Sequence, residues 1–184
     1  MIDIVEGAAY LDPGNSSSEA TVIALAEGLP RNFTRSPGCR GSMLVGQFAL
    51  TIAAVFTGAA IYVNVAEQPA RLQLDNRSLL AEWKPAYKRG YVMQASLAIV
   101  GGLFGLLAYL NTLDWRWLLG AVVLLANWPY TLFVIAPINR RLMDTPPEAA
   151  TAETRRMLEQ WGALHTGRSA LGLVATLIFL WAQR

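Results

Sequence analysis

The sequence is short of the residues that most often carry chemistry. Its 184 residues include one cysteine and one histidine. A single cysteine excludes an intrachain disulfide, and one His with one Cys excludes a His/Cys zinc site or a bis-histidine haem within one chain. Charge is scarce too: 15% of residues are Asp, Glu, Lys or Arg, and the net charge is only +2. No basic cluster is interleaved with aromatics, so a nucleic-acid partner is not expected. No basic stretch leads into a long apolar core at the N-terminus, so a secretory signal is not expected. An internal repeat is missing as well.

What the chain has instead is apolar length. It is 54% hydrophobic, with a mean hydropathy of +0.34, too apolar for an ordinary soluble domain. Residues 1–42 stand apart, rich in Gly, Pro and Ser and without a long apolar run. They read as a poorly ordered tail with one short helix near residues 18–28. Either they are an upstream extension of the reading frame or an accessory segment. Four apolar runs follow, at about 43–66, 91–110, 115–137 and 166–183. A span needs about 20 such residues, and backbone satisfaction in lipid then leaves an all-α, integral membrane four-helix bundle over residues 43–184. Pro69 is expected to end the first helix. The connection 67–90 reads either as a short amphipathic helix at the headgroup level or as a solvated loop. The tight link 111–116 makes helices two and three antiparallel neighbours. Thr145-Pro146-Pro147-Glu148 is the expected start of one long last helix, whose first part is amphipathic and lies outside the bilayer.

Connections 67–90 and 138–168 hold ten of the fifteen basic residues. Positive-inside bias places them, with their amphipathic extensions, in the cytoplasm and both termini outside. Polar residues fall at that same depth on all four helices: Asn64 and Glu67; Gln94; Asn127, Tyr130, Thr131 and Asn139; His165 and Arg168. Trp161, His165 and Arg168 stand at i, i+4 and i+7, on one helix face. Polar groups in an apolar zone cost a few kcal/mol each, roughly, unless paired. Such a layer implies either a cavity or a hydrogen-bonded network that orients the helices.

The string Asn127-Trp128-Pro129-Tyr130-Thr131, the run Ile135-Ala136-Pro137-Ile138-Asn139-Arg140-Arg141-Leu142 and the pattern Trp161-x3-His165-x2-Arg168 resemble the anthrone oxygenase-like family of four-helix membrane proteins. Tyr62, Asn64, Glu67 and Pro69 join the resemblance, which covers residues 43–184 and omits the tail. It implies oxidation of an anthrone-like aromatic by O₂ without a metal or other cofactor. On that reading His165 is the base, and Arg168 with Asn127 or Asn139 stabilises the oxyanion. Trp128, Tyr130 and Trp161 line an aromatic slot, Asn64 contributes to binding, and Glu67 orients His165 or pairs with Arg168. Fold and family do not fix chemistry. A non-enzymatic membrane protein that binds a lipid or small molecule, or a subunit of a larger assembly, stays open. A transporter fits less well, for want of a repeat. The substrate and the oligomeric state are not legible.

Overall fold

A computed structural model describes residues 37–184, with side chains from residue 43. The expected tail helix near 18–28 lies outside the described residues. Within them every regular element is a helix. Helix α1 (Pro37–Tyr62) runs through a wide π turn (Val63–Glu67) into α2 (Gln68–Arg71); α3 is Asn76–Thr112. Then α4 (Trp115–Leu125), α5 (Asn127–Tyr130), a second π turn (Thr131–Ile135) and α6 (Ala136–Asp144) make a third rod, and α7 (Ala152–Ala182) the fourth. All four rods are long and apolar enough to cross a membrane. At 37 residues α3 is about 55 Å long, against a hydrocarbon thickness of about 30 Å. It is therefore longer than a crossing needs.

Two cores form, one per level of the bundle. The first is narrow. Its small residues (Ala49, Ala53, Ala60, Ala98, Ala108, Ala121, Ala175) surround three aromatics, Phe56, Trp117 and Phe179. Each aromatic lies against glycine: a Cβ on Gly105 or Gly120 would meet the Phe179 ring at 2.7 or 2.5 Å, one on Gly172 would meet Phe56 at 2.7 Å, and one on Gly46 would meet Trp117 at 2.6 Å. Small residues let the helices approach closely in lipid. The second core joins the charged ends of the rods, with Leu79, Leu80, Trp83, Ile135, Ile138, Leu142, Leu158 and Trp161 packed together.

Three boundaries differ from expectation. Pro69 does not end the first rod. The π turn before it is closed by a hydrogen bond from the Gln68 amide to the Val63 carbonyl, and Pro69 falls in the first turn of α2, where its missing N–H is tolerated. The third rod repeats the device: Ala136 N–H bonds Thr131 O, and Pro137 follows. The connection 67–90 shrinks to residues 72–75, because Asp75 caps α3 by accepting from the Arg77 and Ser78 amides. Pro85 sits inside α3. An internal proline costs about 3 kcal/mol, whereas burying Leu79, Leu80 and Trp83 at about 1.5–3 kcal/mol each offsets more. That segment is therefore neither a separate interfacial helix nor a loop. Finally, α7 starts at Ala152 rather than at the double proline. Pro146 precedes Pro147 and is held extended, ψ 145°. Thr151 supplies the cap, its hydroxyl accepting from Glu153 N–H while Thr154 Oγ1 accepts from Thr151 N–H.

The tight α3–α4 link is as expected. Leu113 takes the left-handed conformation at φ 56°, and Asp114 caps α4.

Candidate active site

The face Trp161, His165, Arg168 of α7 is buried: His165 is 3% exposed and Arg168 7%. The first π turn sets Asn64 against it. Asn64 Nδ2 donates to the Gly162 carbonyl at 2.9 Å and to Thr166 Oγ1 at 3.2 Å. A backbone carbonyl only accepts, so the orientation of the Asn64 amide follows from this bond. Its Oδ1 then faces Ser169 Oγ, which donates at 2.8 Å, and His165 Nδ1 at 3.0 Å. Since Oδ1 only accepts, Nδ1 carries the proton in the neutral ring. Nε2 keeps its lone pair and makes no hydrogen bond among the described residues.

The His165 ring lines a cavity of about 460 Å³, within the usual range for small-molecule sites. The cavity also touches Glu67, Arg71, Asn139, Trp161 and Arg168, together with Tyr62, Tyr87, Tyr91, Arg89 and Gln94. Three guanidinium groups thus face one carboxylate, and that carboxylate is occupied: Arg71 bonds Glu67 and lies 2.9 Å from Glu82. Arg168 has no ion pair among the described residues, and its Nε has no hydrogen-bond partner. Buried Gln94 Oε1, Asn139 Oδ1 and Trp161 Nε1 are likewise unpartnered. Burying such groups unpaired costs free energy, and all four belong to residues that line the cavity. The Trp161 ring lies 5.1 Å from His165, and the Arg71 guanidinium sits 5.9 Å from the Trp161 ring.

The predicted site residues divide into three groups. Glu67, Asn139, Trp161, His165 and Arg168 meet at the cavity. Asn64 stands behind His165 and orients it, the part expected of Glu67; Glu67 neither bonds His165 nor pairs with Arg168. Asn127 and Trp128 lie instead around a second recess, about large enough for one water, together with Tyr91, Thr131 and Arg168. Tyr130 lines neither. Its hydroxyl donates to the Leu164 carbonyl at 2.8 Å, and its ring packs on Gly167, clamping the third rod to α7. Arg71, Tyr87 and Tyr91 were missed. The signal was present for the tyrosines: Tyr87, Tyr91 and Gln94 repeat on α3 the i, i+4, i+7 spacing of Trp161, His165 and Arg168 on α7.

The family model described as anthrone oxygenase matches residues 83–178, just over half of the chain. The chain belongs to the anthrone oxygenase family. It is similar to anthrone oxygenase tpcL of Aspergillus fumigatus, 27% identical over 150 residues that cover 76% of this chain and 93% of that protein. No solved structure matches it. The segment matched to the anthrone oxygenase family carries Tyr87, Tyr91, Gln94, Asn139, Trp161, His165 and Arg168. Asn64, Glu67 and Arg71 precede it, so the π-turn wall of the cavity is contributed from outside that segment. The described residues hold no group of three His, Cys, Asp or Glu side chains that would suit a metal ion.

Proposed function

We propose that this chain is a membrane-embedded oxygenase that converts the methylene of an anthrone-like aromatic into a ketone with O₂. The observation that carries the reading is His165, its Nδ1 hydrogen-bonded to Asn64 Oδ1 and its ring at a cavity lined also by aromatics and by Arg168, which has no ion pair among the described residues. An anthrone methylene is acidic because its carbanion delocalises through two rings onto the opposite ketone oxygen. His165 Nε2 takes that proton, and Arg168, with Asn139, stabilises the resulting oxyanion. The enolate passes one electron to O₂, and the two radicals combine at the former methylene carbon. The hydroperoxide then loses water by breaking its O–O bond and the remaining C–H bond. The balance is R₂CH₂ + O₂ → R₂C=O + H₂O, so the substrate supplies all the electrons and no further reductant or cofactor enters. Tyr87, Tyr91 and Trp161 hold the rings flat, and Arg71 anchors Glu67 at the wall. Asn127 and Trp128 act from the neighbouring recess, through Arg168. The charge bias of the connections supports a cell-membrane protein with this end of the bundle in the cytoplasm and both termini outside.

The test is turnover of anthrone by the protein reconstituted in lipid vesicles under ¹⁸O₂, with empty vesicles as the background. The expected result is one O₂ consumed per anthrone and ¹⁸O in the new carbonyl. No turnover above background would contradict the reading and favour a lipid- or small-molecule-binding bundle instead.

A further inference from the structure

The cavity is not equally enclosed on all sides. Its back wall, built from α6 and α7, is buried, with Asn139 4% exposed beside His165 and Arg168. Its front is open between α1 and α3. There Tyr62 is 61% exposed and Met93 49% exposed, and both line the cavity. The outward surface beside them is apolar, with Val65 on the first rod and Val92 on α3 both exposed. Charge begins one turn away, at Lys88 and Arg89. Gly90 lines the same front, and a Cβ there would meet nothing within 4 Å. A missing side chain thus leaves a gap at the point where the apolar span meets its basic end.

We propose that this gap is a lateral portal through which a bilayer-dissolved, largely apolar aromatic enters the cavity between α1 and α3. The inference rests on the oxygenase reading and adds the substrate's physical class and route. Fused aromatic rings partition into lipid, and an opening flanked by exposed apolar side chains stays covered by acyl chains rather than water. Arg89 marks the headgroup edge of the opening, and the polar groups that recognise the substrate lie at its far end. Tyr62 and Met93 are therefore gating contacts, met before Arg168 and His165.

Two measurements in vesicles test it, both read against wild type. Gly90→Trp places a large ring at the gap, where a Cβ meets nothing within 4 Å; Leu103→Trp places the same ring at an exposed position further along α3. The expected result is a fall in kcat/KM for anthrone of about tenfold or more in Gly90→Trp, with Leu103→Trp close to wild type. The second measurement does not depend on turnover. In a Cys39→Ser background, Met93→Cys should resist a charged, water-soluble thiol reagent that labels Gln73→Cys in the exposed α2–α3 connection. Full activity in Gly90→Trp, or labelling of Met93→Cys as fast as Gln73→Cys, would overturn the portal. Absence of anthrone turnover in wild type would instead remove the oxygenase reading, and the labelling result would still decide where the opening faces.

Discussion

At the scale of single residues, the site depends on one amide. Among the described residues Asn64 is the one group hydrogen-bonded to the His165 ring, and its own orientation is set by the Gly162 carbonyl. His165→Ala is expected to lower kcat by about 10²- to 10⁴-fold while leaving the bundle assembled, as checked by thermal unfolding alongside turnover. Asn64→Leu should lower kcat more than it raises KM, because the ring remains but its proton is no longer held on Nδ1. It also removes the acceptor of the Ser169 hydroxyl, at about 1–3 kcal/mol of stability. The shared buried face of Trp161, His165 and Arg168 was legible from their i, i+4, i+7 spacing. The partner of His165 was not: Asn64 and His165 are 101 residues apart, and nothing in the sequence sets the rotation of one rod against the other.

At the scale of elements, the unexpected feature is the pair of π turns, each placed just before a proline. A sequence reading treats Pro69 as a stop because it removes a donor and crowds the carbonyl before it. The wide turn removes that conflict, and its backbone pattern has no side-chain signature to betray it. The same holds for α3, whose continuity through Pro85 is decided by tertiary burial of Leu79, Leu80 and Trp83 rather than by propensity. Trp83 stacks on Tyr87 at 4.8 Å and meets Trp161 edge-on at 5.6 Å, so the second core is also the foundation of the cavity. Trp83→Ala is expected to cost about 3–5 kcal/mol of unfolding free energy, measured by denaturation in detergent micelles, and to weaken anthrone binding with it. The start of α3 has its own pH dependence. Hydrogen bonds from Ser78, then Arg77, hold the Asp75 carboxylate below the usual carboxylate range. Its folded pKa lies under the unfolded value of about 3.9. The stability it contributes is therefore present above about pH 4 and is lost as pH falls through the folded value. The Tm difference between wild type and Asp75→Ala should be largest near neutrality and narrow as the pH is lowered from 5 to 3.

At the scale of the whole molecule, four rods are spaced by glycines that admit large rings. Phe179 fills the gap made by both Gly105 and Gly120. Gly120→Ala should destabilise the bundle by about 1–3 kcal/mol. Pairing it with Phe179→Leu should recover part of that loss, because the two share one contact; thermal unfolding of the single and double variants checks it. The four spans were legible because lipid demands about 20 apolar residues per crossing, a requirement composition alone exposes. The polar layer at one level was legible from the depths of Asn64, Gln94, Asn139, His165 and Arg168. Which of its members face a shared space was not. Asn127 and Trp128 turn to a neighbouring recess and Tyr130 to a helix carbonyl, since a turn of about 100° per residue decides the matter and the break between α4 and α5 at Ala126 shifts the phase.

On the proposed function His165, held by Asn64, is the base of an oxygenase. The most direct measurement is the rate of O₂ consumption with anthrone by wild type and His165→Ala, each reconstituted in the same vesicles and corrected for the spontaneous reaction. Catalysed uptake by wild type that disappears in a folded His165→Ala protein is the expected result. Equal catalysed uptake by both proteins would contradict it.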